Sequence, residues 1–147
     1  MFNSPLKVYD EYLIEPADVS AAMAGTNVVR AGESLSGLEV VVCVEPSAAD
    51  PEVGFDLKVG TEVSILLQHS QDGETFIALP EWNQTVAAPK DDPAATTITA
   101  APGTIIARMT LPSDCLPFVK GNLEFAAGSG GAVPTGRVSM FPAYLPR

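Results

Sequence analysis

Val63-Ser64-Ile65-Leu66-Leu67-Gln68-His69-Ser70-Gln71-Asp72-Gly73-Glu74-Thr75-Phe76-Ile77-Ala78 is the stretch that decides the fold. Two β-type runs flank an Asp-Gly pair, and glycine tolerates positive φ, so the pattern predicts a tight hairpin. Val63, Ile65 and Leu67 should face one way, and Ser64 and Gln68 the other. Similar short runs, set off by glycine and proline, recur along the chain, and no stretch has the period of a long helix.

Leu38, Val40, Val42 and Val44 alternate with Glu39, Val41, Cys43 and Glu45, which predicts a strand. Further strands are expected at Asn27–Arg30, Thr96–Ala101, Thr104–Leu111, Phe118–Phe125 and Arg137–Phe141. Pro16–Ala24 reads as one or two helical turns, with proline near the first position and Gly25 as the stop. Pro46–Lys58 and Pro80–Pro93 read as polar loops. The sum is about eight strands with no crossover helices, which points to an all-β, jelly-roll-like, two-sheet antiparallel sandwich.

The 147 residues suit one domain. A hydrophobic fraction of 46% against 18% charged residues supplies a core. Residues 1–15 read as an N-terminal arm, 16–147 as the sandwich domain, and 142–147 as a short tail. The arm alternates loosely (Leu6, Val8, Tyr12, Ile14). Two roles stay open for it: an edge strand, or a drape over a neighbouring molecule.

The formal charge is −10, from 8 basic and 18 acidic residues. Phosphate binding needs clustered Lys and Arg, so no direct nucleic-acid contact is expected. No stretch is long and apolar enough to span a bilayer as a helix. The start, Met1-Phe2-Asn3-Ser4-Pro5-Leu6-Lys7, lacks the pattern of a signal peptide, so synthesis and retention in the cytosol are expected. In that compartment Cys43 and Cys115 are expected to be free thiols.

No catalytic kit is legible. His69 is the one histidine, and nothing local supplies a nucleophile or an orienting partner. The serines lack the strained elbow pattern of hydrolases. One histidine and two separated cysteines do not make a zinc site. Asp50, Glu52 and Asp56, or Asp91 and Asp92, do not match a calcium loop and read as solvated acidic loops. Glu39, Glu74, Glu81 and Glu124 read as outward positions. No metal or cofactor is expected, and the chain reads as a non-enzyme.

The aromatic and apolar residues of the two ends, Phe2, Leu6, Val8, Tyr9, Tyr12, Ile14, Phe141 and Tyr144, are the candidate interface. Such residues anchor contacts between subunits. Folding back onto their own core is the alternative. Trp82 reads as a partly buried anchor rather than a platform for a sugar ring.

An ordered set of segments also resembles a known family. They are Ala21–Val29, Gly37–Val42, Ser70–Phe76, the Pro102-Gly103 turn before Thr104-Ile105-Ile106, Leu111-Pro112 ahead of Pro117–Leu123, and Pro134–Ser139. In that order they resemble the phage capsid decoration proteins of the jelly-roll cement type, the Bordetella-phage-like cement family. The chain departs from the pattern in a longer Pro80–Pro93 loop. The resemblance implies a non-enzymatic virion protein, assembled in the host bacterial cytoplasm. It would sit on the outer surface of an icosahedral head and bridge major capsid protein subunits. It would itself be a homodimer or homotrimer. The alternative is a carbohydrate-binding β-sandwich of a phage fibre or a similar structure, motivated by Trp82 and the acidic loops.

Overall fold

The structure, a computed structural model, describes residues 6–7, 12–19, 22–25, 27–30, 38–46, 55–111, 116–126 and 135–144. Among these residues there are thirteen strands and no helix. They are β1 (Leu6–Lys7), β2 (Ile14–Asp18), β3 (Ala22–Ala24), β4 (Val29–Arg30), β5 (Leu38–Glu45), β6 (Phe55–Lys58) and β7 (Glu62–Ser70). The remainder are β8 (Ile77–Ala78), β9 (Trp82–Thr85), β10 (Thr97–Ala100), β11 (Ile105–Thr110), β12 (Phe118–Ala126) and β13 (Arg137–Tyr144).

Every pairing between strands is antiparallel. β2 pairs with β13, β3 with β12, β5 with β11, and β7 with β8 and β9. That is one long hairpin ribbon whose tip is the Asp72-Gly73 loop. Rolling the ribbon brings β13 against β5 and β12 against β7. The result is a sheet ordered β2-β13-β5-β11, with β1 also on β13, and a sheet ordered β3-β12-β7-β8, with β4 on β12 and β9 on β7. This is the jelly-roll arrangement. Three ribbon positions are split in two (β1/β2, β3/β4 and β8/β9). β6 and β10 form an additional ribbon, so the strand count exceeds the eight expected.

The core lies between the two sheets. Val40, Val42, Val44, Val138 and Met140 from one sheet meet Val63, Ile65, Leu67, Val119, Leu123 and Phe125 from the other. The period-2 reading of β7 and β12 therefore places their apolar residues as expected. The β6–β10 ribbon contributes Phe55 and Leu57, and the Phe55 and Phe125 rings lie 5.9 Å apart.

Several local expectations are corrected. Pro16–Ala24 holds strands β2 and β3 rather than helical turns. Pro16 is accommodated because β2 is an edge strand with a register shift between its pairings at Ala17 and Ile14. Phe55–Lys58 and Trp82–Thr85 are strands within segments read as loops. β13 runs through Pro142 to Tyr144 instead of ending in a tail at 142. Met140 accepts a hydrogen bond from the Leu13 N–H, so alternate residues of β13 aim their backbone groups at the N-terminal segment. Pro142 falls in that phase and has no N–H to donate. Finally, the hairpin at Asp72-Gly73 is wider than a tight turn. His69 and Ile77 form the last pair, leaving a loop from Ser70 to Phe76.

β5 departs from simple alternation. Val41, expected opposite the core, is fully buried with Phe141 and Ala143 in a second cluster on the other face of the sheet. Tyr12, Cys43 and Ile105 pack against it. An extra residue in β11 turns Ile105 to this face while Ile106 packs on the main core.

Candidate functional site

The ribbon tip is built by side chain to backbone bonds. Ser70 Oγ accepts from the Gly73 N–H at 2.9 Å and from the Asp72 N–H at 3.2 Å. It donates to Asp72 Oδ1 at 2.8 Å. Asp72 Oδ1 also accepts from the N–H groups of Glu74 and Thr75 at 2.9 and 3.0 Å. Gly73 takes φ +80°, which side-chain-bearing residues rarely adopt. The bonds from Thr75 first, then Glu74 and Ser70, stabilise the carboxylate and lower the Asp72 pKa to about 2. This network is a turn support: every partner belongs to the loop itself.

His69 lies on the core side of β7, half-buried, with Nδ1 accepting from the Leu116 N–H at 3.0 Å. That bond uses Nδ1 as the acceptor for a backbone donor of the incoming segment. The histidine thus holds the entry to β12. Asp56 accepts from the Thr99 hydroxyl at 2.7 Å, while Asp50 and Glu52 lie outside the described residues. Glu74, Glu81 and Glu124 are exposed as expected. Glu39 is not: its Oε2 is buried without a hydrogen-bond partner, 3.8 Å from Arg108 Nε. No grouping of three or more His, Cys, Asp or Glu suited to a metal occurs among the described residues. The Cys43 thiol is half-buried, 3.6 Å from the Val44 carbonyl oxygen, and Cys115 lies outside the described residues.

The candidate interface residues divide. Ile14 is in the main core, and Phe141 is in the second cluster with the Tyr12 ring edge-on to it, centroids 6.0 Å apart. These three contact their own chain. Leu6 pairs with Tyr144 through the backbone. Phe2, Val8 and Tyr9 lie outside the described residues. The arm is thus an edge strand of its own sheet at Leu6–Lys7 and again from Ile14. Trp82 is half-buried on β9, opposite Ile65, and packs on the core.

One surface feature escaped the sequence reading. A groove of about 250 Å³ opens at the side of the sandwich where the edge strands β9 and β11 approach the β6–β10 ribbon. Leu57, Val63 and Ala100 are its buried residues; Gln84, Val86, Ala87, Ile98, Thr104 and Ile106 complete the lining. None of the nine is charged. Its chemistry suits an aliphatic or aromatic group, with the Gln84 amide and the Thr104 hydroxyl as polar fixtures. A sequence signal existed: 82–89 and 93–107 carry no charge in a chain with 26 charged residues.

No family model matches this chain, and neither a curated protein nor a solved structure is significantly similar to it.

Proposed function

We propose that this chain is a non-enzymatic capsid decoration protein. It binds the outer surface of an icosahedral phage head and bridges major capsid protein subunits. The observation that carries this reading is the rolled-ribbon topology, an architecture common in virion proteins, joined to the family resemblance of the ordered segments. Such a protein works by shape and multivalency rather than chemistry: several weak contacts held by one oligomer bind far more tightly than one alone. The carbohydrate-binding alternative leaned on Trp82 and the acidic loops; of these, Trp82 is half-buried and packs on the core.

The test is co-sedimentation of the purified protein with expanded heads stripped of decoration. Saturable binding at a fixed ratio to the major capsid protein supports the reading. No binding to expanded heads sinks it and turns attention to glycan arrays. Deleting residues 1–15 is a poor probe of the arm, because it removes the buried Leu13 and Ile14. Removing residues 1–11 keeps both. If that truncation leaves shell binding intact, the arm does not grip the shell.

A further inference from the structure

Asp72-Gly73 is the one place in the chain where Asp or Asn precedes glycine. Glycine has no Cβ, so its amide nitrogen can approach the preceding carboxyl carbon closely. In the reaction this permits, the Gly73 nitrogen gives up its proton and bonds to Asp72 Cγ, and a carboxyl oxygen leaves as water. Water then opens the cyclic imide at either carbonyl. Opening at the side-chain carbonyl restores aspartate. Opening at the main-chain carbonyl leaves the backbone running through the Asp72 side chain, as isoaspartate of unchanged mass. The folded tip opposes each part of this step. The Gly73 N–H is engaged with Ser70 Oγ at 2.9 Å. Asp72 Oδ1 is held by the N–H groups of Glu74 and Thr75 and by the Ser70 hydroxyl. Those bonds keep the carboxyl ionised, and an ionised carboxylate gives up its oxygen less readily than the acid. Ser70 is fully buried at the end of β7, opposite Phe118 on β12, so its hydroxyl is fixed to the sheet. A Cβ on Gly73 would lie 3.6 Å from the Phe118 ring, so the glycine is braced from that side too.

We propose that Asp72 is this chain's site of spontaneous aspartate isomerisation, and that the Ser70 hydroxyl restrains the reaction in the folded protein by engaging both reacting groups. One side chain accepts from the attacking amide and donates to the carboxylate under attack. Ring closure requires both bonds to part, together with those from Glu74 and Thr75. A single hydrogen bond to a charged partner is worth about a factor of ten or more. The isomer adds a carbon to the backbone, which the loop closed by the His69–Ile77 pair must absorb. The bonds that shape the tip therefore also preserve it chemically.

The test is prolonged incubation of the purified full chain in warm neutral buffer, beside the same chain unfolded in urea. Trypsin then releases the peptide Val59–Lys90, which contains residue 72. Isoaspartate is counted by enzymatic methylation and located by electron-transfer fragmentation. In urea, isoaspartate should appear first at residue 72. In the folded chain it should form there at least about tenfold more slowly, the effect of losing one charged hydrogen bond or more. Ser70→Ala should recover most of that difference in the folded state. Remote β5 amides should exchange no faster in this variant, which separates local opening of the tip from global unfolding. Thr75→Ala keeps its backbone donor and should match the natural chain. If Ser70→Ala loosens the whole sandwich, Asp72→Asn decides: the same ring closure then expels ammonia and reads as a mass gain after hydrolysis. It too should run at least about tenfold slower folded than in urea. Equal rates folded and unfolded, a folded Ser70→Ala chain no faster than the natural one, or isoaspartate arising first at another residue in urea would each overturn the proposal.

Discussion

Gly121 on β12 lies directly beneath Met140 on β13, so the two sheets touch where one of them has no side chain. A Cβ on Gly121 would come 3.0 Å from Met140 Cε and 2.6 Å from Leu67 Cδ2, closer than packed atoms tolerate. Both neighbours are fully buried and cannot swing into solvent. Gly121→Ala should therefore cost about 1–3 kcal/mol of stability as an overpacking change, read from urea unfolding. Combined with Met140→Ala, the total should fall short of the sum of the single costs, because the second change opens space for the first.

Phe55 and Phe125 link the β6–β10 ribbon to the main sheets. Both rings are buried, 5.9 Å apart. Phe55→Ala should lose about 3–5 kcal/mol, the usual cost of emptying a core aromatic site. A loss under 1 kcal/mol in chemical unfolding would mean the ribbon is an appendage rather than a wall of the core.

Asp72 makes the ribbon tip acid-sensitive. Its pKa is held near 2 in the folded chain, against 3.8 ordinarily. A lowered folded-state value contributes stability above the unfolded pKa, and that contribution fades as pH falls towards the folded value. Asp72→Ala should thus lower the melting temperature at neutral pH. The gap from the natural chain should close between about pH 4 and pH 2. A gap independent of pH would assign the effect to the turn backbone instead.

His69 holds Leu116 through one hydrogen bond. His69→Ala should speed hydrogen exchange of the Leu116 amide by an amount worth about 0.5–1.5 kcal/mol, with remote β5 amides unchanged. Uniformly faster exchange across the sandwich would show that the histidine supports the global fold rather than this one connection.

The sequence by itself determined the class of fold and the faces of its longest strands. Val63, Ile65 and Leu67, and again Val119, Leu123 and Phe125, alternate strictly, and period-2 alternation has one physical reading: a sheet with one buried face. The Asp-Gly loop marked the tip about which the ribbon rolls. Tertiary structure decided what alternation cannot encode. The unbroken run Val40 to Val44 hides which face is covered, and only packing shows that Val41 is buried away from the main core. Short segments such as Ala22–Ala24 and Trp82–Thr85 are strands because β12 and β7 offer them hydrogen-bonding edges, not because of their own propensity. The aromatic ends looked equally fit for a partner or for their own sheet. The Tyr12 ring meets Phe141 because β2 docks on β13, a contact between residues 129 apart in sequence (141 − 12 = 129) that no local pattern could specify. The neutral groove beside β9 arises in the same way: its lining gathers from β6, β7, β9, β10 and β11 only after the ribbon has rolled.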